Sequence, residues 1–422
     1  MGAPAKLDSP PCAAHVSSMS EDVELLIVGG GLNGMLLGIA CADAGLEVAV
    51  VDRQDPATMV GDQFDGRTSA IAYGSKLVLD GVGLWSLVAP EAEPIREIRV
   101  ADDNSPFFLH YDHKELGGDA PLGYIVENRL LRRALFERAR GLPSFRLLAP
   151  RVVGTVTADD SATVATLGDA TRIHARLVAA ADGKDSPLRQ AAGIRTVEWR
   201  YKQIGIVTTV AHERPHAGIA VEHFLPAGPF AILPMTGNRS SIVWTEDAAL
   251  APHLVRLPDA QFAAELSARF GDFLGRLEPV GPRWTYPLSL MQANRYTARR
   301  LALIGEAAHV IHPIAGQGLN VGIRDCAALA EAVIDARRLG LDIGDDAVLE
   351  RYQRWRRLDA VLLAGVTDGL NRLFSNRIAP LKLVRDVGLA AVNRMPPLKR
   401  LLMSHAMGTL GDRPRLARGE RL

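Results

Sequence analysis

The sequence predicts an α/β fold: a Rossmann-type dinucleotide-binding domain, an inserted antiparallel β-sheet and a C-terminal helical tail. Three stretches carry that reading. Near the start, the apolar run Val23–Val28 leads into Gly29-Gly30-Gly31-Leu32-Asn33-Gly34 and then a helical pattern. Between Trp199 and Trp244 the texture changes to short apolar runs separated by turn residues, as a sheet of hairpins requires. Late in the chain, Arg300–Leu329 joins a short apolar run to a Gly-rich loop and a second helix.

Composition narrows the functional classes. The chain has 422 residues, enough for two or three domains. Its 48 basic and 48 acidic side chains cancel, so no global attraction to nucleic acid is implied. No run of about 18 uncharged apolar residues occurs, so no membrane-spanning helix is expected. Cys12, Cys41 and Cys326 have neither metal-site nor disulfide-framework spacing, which points to a reducing compartment and a cytoplasmic location. Residues Met1–Asp22 are small and polar, without the apolar core of a secretory signal or the arginines of a transit peptide, and read as a disordered leader.

The first element has dinucleotide-fold mechanics. Gly29, Gly31 and Gly34 fit GxGxxG; a helix over Met35–Ala44 stops at Gly45; the strand Leu46–Val51 ends at Asp52. One glycine makes the tight turn, one lets a pyrophosphate approach, one lets helix and strand pack, and Asp52 takes ribose hydroxyls. This element alone does not separate FAD from NAD.

Next, Asp65–Gly74 is a loop entering a helix over Lys76–Val82, and Arg67 within it lies along a flavin or phosphate or is a solvated charge. Ile95–Asp102 and Phe107–Tyr111 read as paired strands. Tyr124–Val126 leads to Asn128, a cap for the helix Leu130–Arg140, and to Arg129, which reaches either a phosphate or solvent. Phe145–Leu148, Val152–Ala158 and Ala162–Leu167 are expected to form a meander. The strand Ile173–Ala181 ends in Asp182-Gly183 and opens the frame DGxxSxxR, in which Ser186 caps a short helix, Pro187 takes its first position and Arg189 follows.

In the inserted sheet, Ile204–Val210, Ile219–Leu225, Phe230–Pro234 and Ser240–Trp244 are strands, and Phe224, Phe230, Ile232, Leu233 and Pro234 are candidates for a pocket floor. A helix over Pro258–Phe270 and a returning strand over Arg283–Leu290 complete it. The late stretch then supplies a buried strand, Leu301–Ile304, with Gly305-Glu306 at its end. His312-Pro313 stiffens the loop, and Gly316-Gln317-Gly318 lets the backbone approach a ligand. The helix from Leu319 starts with free N–H groups, a site for an anionic or electron-rich atom. After Gly344 the chain is mostly helical and broken by prolines. From Val361 to Leu422 eleven basic residues stand against four acidic ones among many apolar side chains. That suits an anionic membrane surface or a helical layer packed on the body.

The order GxGxxG, DGxxSxxR, then HPIAGQGLNVGIRD (His312–Asp325) resembles the flavin-dependent aromatic hydroxylases of the para-hydroxybenzoate hydroxylase fold. The last motif, with TDGLNRLFSN (Thr367–Asn376), looks specifically like the ubiquinone-biosynthesis hydroxylases, and the resemblance covers nearly all the chain after the leader. It implies a discontinuous FAD-binding domain (23–94, 120–195, 291–343), a substrate domain (95–119, 196–290) and a C-terminal helical region (344–422). It implies non-covalent FAD reduced by NAD(P)H, and O2 forming a C4a-hydroperoxide that hydroxylates an electron-rich phenol ring bearing a polyprenyl tail. Carried over, Gly29, Gly31 and Gly34 meet the pyrophosphate and Asp52 the ribose; Arg129 and Asp182-Gly183 flank the phosphates; Gly305-Glu306 contacts the ribityl chain. Pro313 lies by the isoalloxazine, with the N–H groups of Gly318, Leu319 and Asn320 at its N1–C2=O edge, and Gly316 and Gln317 complete the cofactor-binding set. Glu306 departs from the Asp common in flavin hydroxylases, which puts its hydroxyl contact in doubt. No catalytic acid–base pair is evident; His312 is the one candidate. Competing functions on the same fold are a reductase of prenyl chains, a non-catalytic FAD-stabilised scaffold and, least favoured, a plain nicotinamide dehydrogenase. Leu381–Met407, with Lys382, Arg385, Lys399 and Arg400, is the expected surface for the inner membrane face or other ubiquinone-biosynthesis proteins.

Overall fold

The structure, a computed structural model, describes residues 20–59, 61, 64–102, 108–374 and 392–422. Its first sheet grows from Ser20–Val28 (β1), whose Leu25–Ile27 are completely buried. The strand thus begins inside the stretch read as leader. Val48–Val51 (β2) and Arg172–Ala180 (β11) flank β1 in parallel, and Leu301–Leu303 (β18) adds to β11 in parallel. Strands buried on both faces need unbroken apolar runs, which is what these sequences supply. Phe145–Leu148 (β8) is not part of a meander: it pairs in parallel with β2 at the sheet edge. The meander is Val153–Ala158 (β9), Thr163–Leu167 (β10) and β11. Thr297–Ala298 (β17) closes the other edge.

Leu32–Asp43 (α1), Asn128–Arg140 (α5) and Gln317–Arg338 (α9) pack in the same core, with Asp346–Phe374 (α10) against α9. Asn128 does not cap α5. Its side-chain oxygen accepts from Ser69 Oγ (2.6 Å), and the extended residue before the helix is Glu127. Short helices Pro56–Met59 (α2), Tyr73–Gly81 (α3), Trp85–Val88 (α4) and Pro187–Ala191 (α6) fill connections; α6 is capped by Ser186, which accepts from Arg189 N at 3.0 Å.

The second sheet has the order β19-β16-β12-β15-β14-β13-β5-β6. These are His309–Val310 (β19), Leu277–Ala293 (β16), Thr196–His212 (β12), Arg239–Asp247 (β15), Gly228–Met235 (β14), Ile219–Leu225 (β13), Glu97–Asp102 (β5) and Phe108–Asp112 (β6). It is not wholly antiparallel. β13 and β5 run parallel, because β5 arrives from the first half of the chain rather than by a hairpin. One face is covered by Ala251–Val255 (α7) and Asp259–Phe270 (α8), and Phe230, Ile232 and Trp244 pack there against Phe262 and Leu266. Alternation along β14 therefore removes Phe230 and Ile232 from the pocket floor, and Pro234 with them. Thr68–Ala72 (β3), Gly123–Glu127 (β7) and Glu93–Ile95 (β4) form a small sheet between the two large ones.

Candidate functional site

Four loops leave the C-terminal ends of parallel strands on one edge of the first sheet: Gly29–Gly31 after β1, Asp52 after β2, Asp182-Gly183 after β11 and Gly305-Glu306 after β18. Such an edge is where open α/β sheets bind ligands. Gly29 has φ +108, and an added Cβ would collide with the Ala181 carbonyl. A Cβ at Gly34 would collide with the Gly29 carbonyl, so this glycine lets α1 pack on its strand. At Gly31, Gly183 and Gly318 no heavy atom lies within 4 Å of an added Cβ. These backbones face open space. Asp52 accepts from Gly30 N at 2.5 Å and Gln54 N at 2.7 Å, fixing its carboxylate beside the glycine loop. Asp182 accepts from Leu188 N at 3.3 Å, while its other oxygen is buried without a partner. Burial pushes its carboxyl above the ordinary range. Buried Arg189 donates to the Ala307 carbonyl at 2.9 Å and so ties the DGxxSxxR frame to the late loop.

The late loop rests on a buried ionic cluster. Gly305 N (3.0 Å) and His309 Nε2 (2.6 Å) bond one oxygen of Asp325, and Arg356 Nε bonds the other at 2.9 Å. Arg356 also donates to Asp359 at 2.8 Å. Burial alone would push the Asp325 carboxyl up; the Coulombic pull of His309 and Arg356 and their hydrogen bonds outweigh it and hold it below the usual range. Asp325 belonged to a recognised motif, but its partners lie on other elements and no spacing signal announces them. Beyond it, Gly316 takes φ +60 before α9, a conformation that costs glycine little. Asn320 gives its whole side chain to the frame: Oδ1 accepts from Ala72 N (2.8 Å), and Nδ2 donates to the Ala70 (2.8 Å) and Gly316 (3.0 Å) carbonyls. This clamps β3 to the start of α9.

An apolar cavity of about 600 Å³ lies between this loop and the second sheet. Pro313, Gly316, Gln317 and Asn320 border it on one side and Phe224 and Leu233 on the other. The second half of α10 and the helix Pro396–Ala406 close it. Pro234 does not line it. The tail is thus partly a wall of the cavity. The Thr367–Asn376 motif fastens that wall: Asp368 accepts from Tyr201 Oη (2.7 Å) and Trp199 Nε1 (3.2 Å), and Asn371 donates to Gln203 at 3.1 Å.

The remaining expected residues divide. His312 is fully buried beside the loop, edge-on to Tyr201, and neither ring nitrogen has a partner. Burial pushes its imidazole down to about 4. Glu306 is exposed at the strand edge. Arg67 pairs with Asp65 (2.7 Å) and lies over Trp284; Arg129 pairs with Glu127 at 2.6 Å. Lys399 is buried and paired with Glu115 at 2.6 Å, so it cannot serve a membrane surface. Lys382 and Arg385 lie outside the described residues; Arg400 is exposed.

The residues fit FAD. The open faces of Gly31, Gly183 and Gly318 and the unpartnered Asp182 oxygen line one edge, and the unpartnered imidazole of His312 adjoins the late loop at its end. The model of an FAD binding domain matches residues 22–363. The ubiquinone hydroxylase UbiL of Rhodospirillum rubrum is 52% identical over 416 residues, covering 98% of this chain and 96% of that protein. The 3-demethoxyubiquinol 3-hydroxylase of Escherichia coli is 35% identical, covering 92% and 99%. Among solved structures, p-nitrophenol 4-monooxygenase PnpA from Pseudomonas putida aligns with a TM-score of 0.77 at 20% identity, over 93% of this chain and 100% of that one, a likeness of fold. The chain belongs to the family of FAD-dependent monooxygenases that act as ubiquinone-biosynthesis hydroxylases.

Proposed function

We propose that the protein hydroxylates the aromatic ring of a polyprenyl phenol, using FAD, NAD(P)H and O2. The observation that carries this is the apolar cavity abutting the late loop. Its volume of about 600 Å³ suits a substituted ring, and ligand pockets commonly span about 300–1,000 Å³. Val366 and Leu402 line it and are also exposed, so a prenyl tail has an apolar way out between α10 and the C-terminal helix. When bound, FAD supplies the hydride acceptance and oxygen activation that no side chain here can perform. The chain's task is to hold it. Gly29 and Gly34 shape the tight loop and Gly31 opens it to the pyrophosphate; Asp52 receives the ribose, Arg129, Asp182 and Gly183 the phosphate region, and Gly305 and Glu306 the ribityl chain. Pro313 and the N–H groups of Gly318, Leu319 and Asn320 border the ring system, where a helix N-terminus favours negative charge.

Incubation with a short-tailed prenylphenol, NAD(P)H and ¹⁸O2 is expected to yield a ring-hydroxylated product carrying one labelled oxygen by mass spectrometry. Prenyl-chain reduction without label would replace this reading by the reductase. Gly318→Val is expected to slow flavin reduction or oxygen use about 100-fold in stopped-flow traces, a general effect of misplacing reacting groups. Its melting temperature should stay near wild type, since nothing outside its own helix and chain neighbours lies within 4 Å of a Cβ added there. Unchanged turnover would remove Gly318 from the site.

The same reading includes reversible membrane docking beside the cavity mouth. Leu358, Leu362 and Val366, spaced four apart on α10, are exposed, as is Leu401 on the neighbouring helix. Burying each such side chain is worth about 1.5–3 kcal/mol. Among the described residues no helix is long and apolar enough to cross a membrane. The triple variant Leu358→Glu, Leu362→Glu, Leu401→Glu is expected to lose most sedimentation with anionic liposomes while keeping its yellow colour. A wild type that never sediments, even at low salt, would end the membrane reading.

A further inference from the structure

One side chain in the cavity has no evident reason to be there. Glu222 lies on β13 between Ala220 and Phe224 in the strand's alternation, and all three line the cavity. Its cross-strand neighbours Ala231 on β14 and Val100 on β5 line it as well. Among the described residues lining the cavity it is the only acid, and it is placed on an otherwise apolar floor. The other polar lining groups are mostly committed. Asn320 spends both ends on backbone, Thr367 Oγ1 turns back to the Leu363 carbonyl at 3.0 Å, and Gln317 donates to the Ala406 carbonyl at 3.3 Å. Glu222 has neither a hydrogen bond nor an ion pair with any described residue. A carboxylate without a partner in an apolar wall costs stability, and a leucine would pack better. What the acid can offer is a contact to a polar group on whatever fills the cavity.

We propose that Glu222 receives the ring hydroxyl of the phenol substrate and holds its proton during hydroxylation. This rests on the function proposed above. The carboxylate accepts the phenolic proton: the substrate O–H bond breaks and a carboxyl O–H forms. The negative charge left on the ring oxygen raises electron density at the ring carbons ortho and para to it. One of them takes a hydroxyl group whose oxygen comes from O2, the second oxygen leaving as water with the two electrons that NAD(P)H supplies through the cofactor, and the ring passes through a dienone. That carbon then loses its hydrogen as a proton to solvent, Glu222 returns its proton to the ring oxygen, and the aromatic dihydroxy product leaves the acid ionised again. Burial pushes the Glu222 carboxyl up to about 7, where a group exchanges protons readily near neutral pH. The other titratable groups facing the cavity are Tyr111 from β6, which burial pushes up to about 12, and His405 from the C-terminal helix; β14, α10 and the late loop present none.

The test uses the FAD-loaded full chain and a short-tailed prenylphenol. Glu222→Gln keeps the size and a hydrogen bond but cannot take the proton. It is expected to keep its FAD and oxidise NAD(P)H, to form about 100-fold less hydroxylated product, and to release the missing equivalents as hydrogen peroxide. Wild-type product yield should rise with pH through about 7, and that inflection should vanish in the variant. A readout free of turnover is the melting temperature. The raised carboxyl costs the wild type stability above the unfolded glutamate value, so Glu222→Gln should melt higher at alkaline pH and converge with wild type only below about pH 4. Glu222→Leu, which suits the apolar wall, gives the same comparison where the Gln variant folds poorly. Wild-type yield and inflection in both variants would overturn the assignment, as would an inflection that follows His405→Gln instead. A wild type that forms no hydroxylated product overturns the function itself, and this inference with it.

Discussion

Gly31→Val is expected to purify folded but colourless. Apart from its chain neighbours, nothing lies within 4 Å of a Cβ added at this position, so the fold has room for a side chain to start there. The space it fills is the approach to the backbone beyond β1, where a pyrophosphate would meet the glycine loop. Displacing that group forfeits charge-assisted hydrogen bonds worth about 1.5–3 kcal/mol each. Losing one costs about 10- to 150-fold in affinity and losing two up to about 10,000-fold, since about 1.4 kcal/mol is tenfold. Absorbance at the flavin band per protein, together with the melting temperature of the apoprotein, checks both halves. Full FAD content in the variant would mean that the cofactor does not run past Gly31. Collapse of the apoprotein would mean that the loop needs glycine for its own conformation.

Asp325→Ala acts at the opposite end of the same edge and on stability. The residue has no solvent exposure, and its loss leaves Arg356 with Asp359 alone and Gly305 N–H and His309 without an acceptor. Breaking a buried pair on one side typically costs about 3–5 kcal/mol, which is a large share of a domain's net stability. Guanidinium unfolding should show that loss at neutral pH. The sign with pH follows from the carboxyl being held below its ordinary value: its contribution is complete above the unfolded carboxylate value of about 3.9 and fades as pH falls through the folded one. Wild type and variant should therefore converge only in strong acid. A variant within about 1 kcal/mol of wild type at pH 7 would show that the cluster does not carry the loop.

Local patterns in the chain already locate the loops gathered at one edge of the first sheet. GxGxxG, DGxxSxxR and the late Gly-rich loop each lie within a few residues, and each follows a strand whose apolar run is plain. What the sequence withheld is relational. The acceptor for Gly305 N–H sits twenty residues later and its counter-ion on another helix. Asn128 looked like a cap because capping is the common local use of asparagine before a helix, and a cross-sheet bond to Ser69 displaced it. Phe145–Leu148 carries no mark of whether its partner runs parallel, since the pairing depends on where β2 already lies. Pro234 and Leu233 are equally apolar, and only the strand's phase puts one in the cavity and the other behind it. Lys399 belonged to a basic stretch that suggested a lipid-facing surface until Glu115, remote in sequence, took its charge. Glu222 was one acid among many; its singularity exists only once the apolar walls are assembled round it.

The wall built by the helix Pro396–Ala406 has a consequence for how the molecule is made. All strands of the first sheet precede residue 304, so its loop edge can assemble while the tail is still being synthesised. The cavity cannot: Met403 and Met407 arrive roughly a hundred residues later, and the turn at Met407 is pinned to the first half of the chain by Gly74 N–H at 2.8 Å. A nascent or prematurely terminated chain would therefore be able to hold its cofactor before it could shelter a substrate.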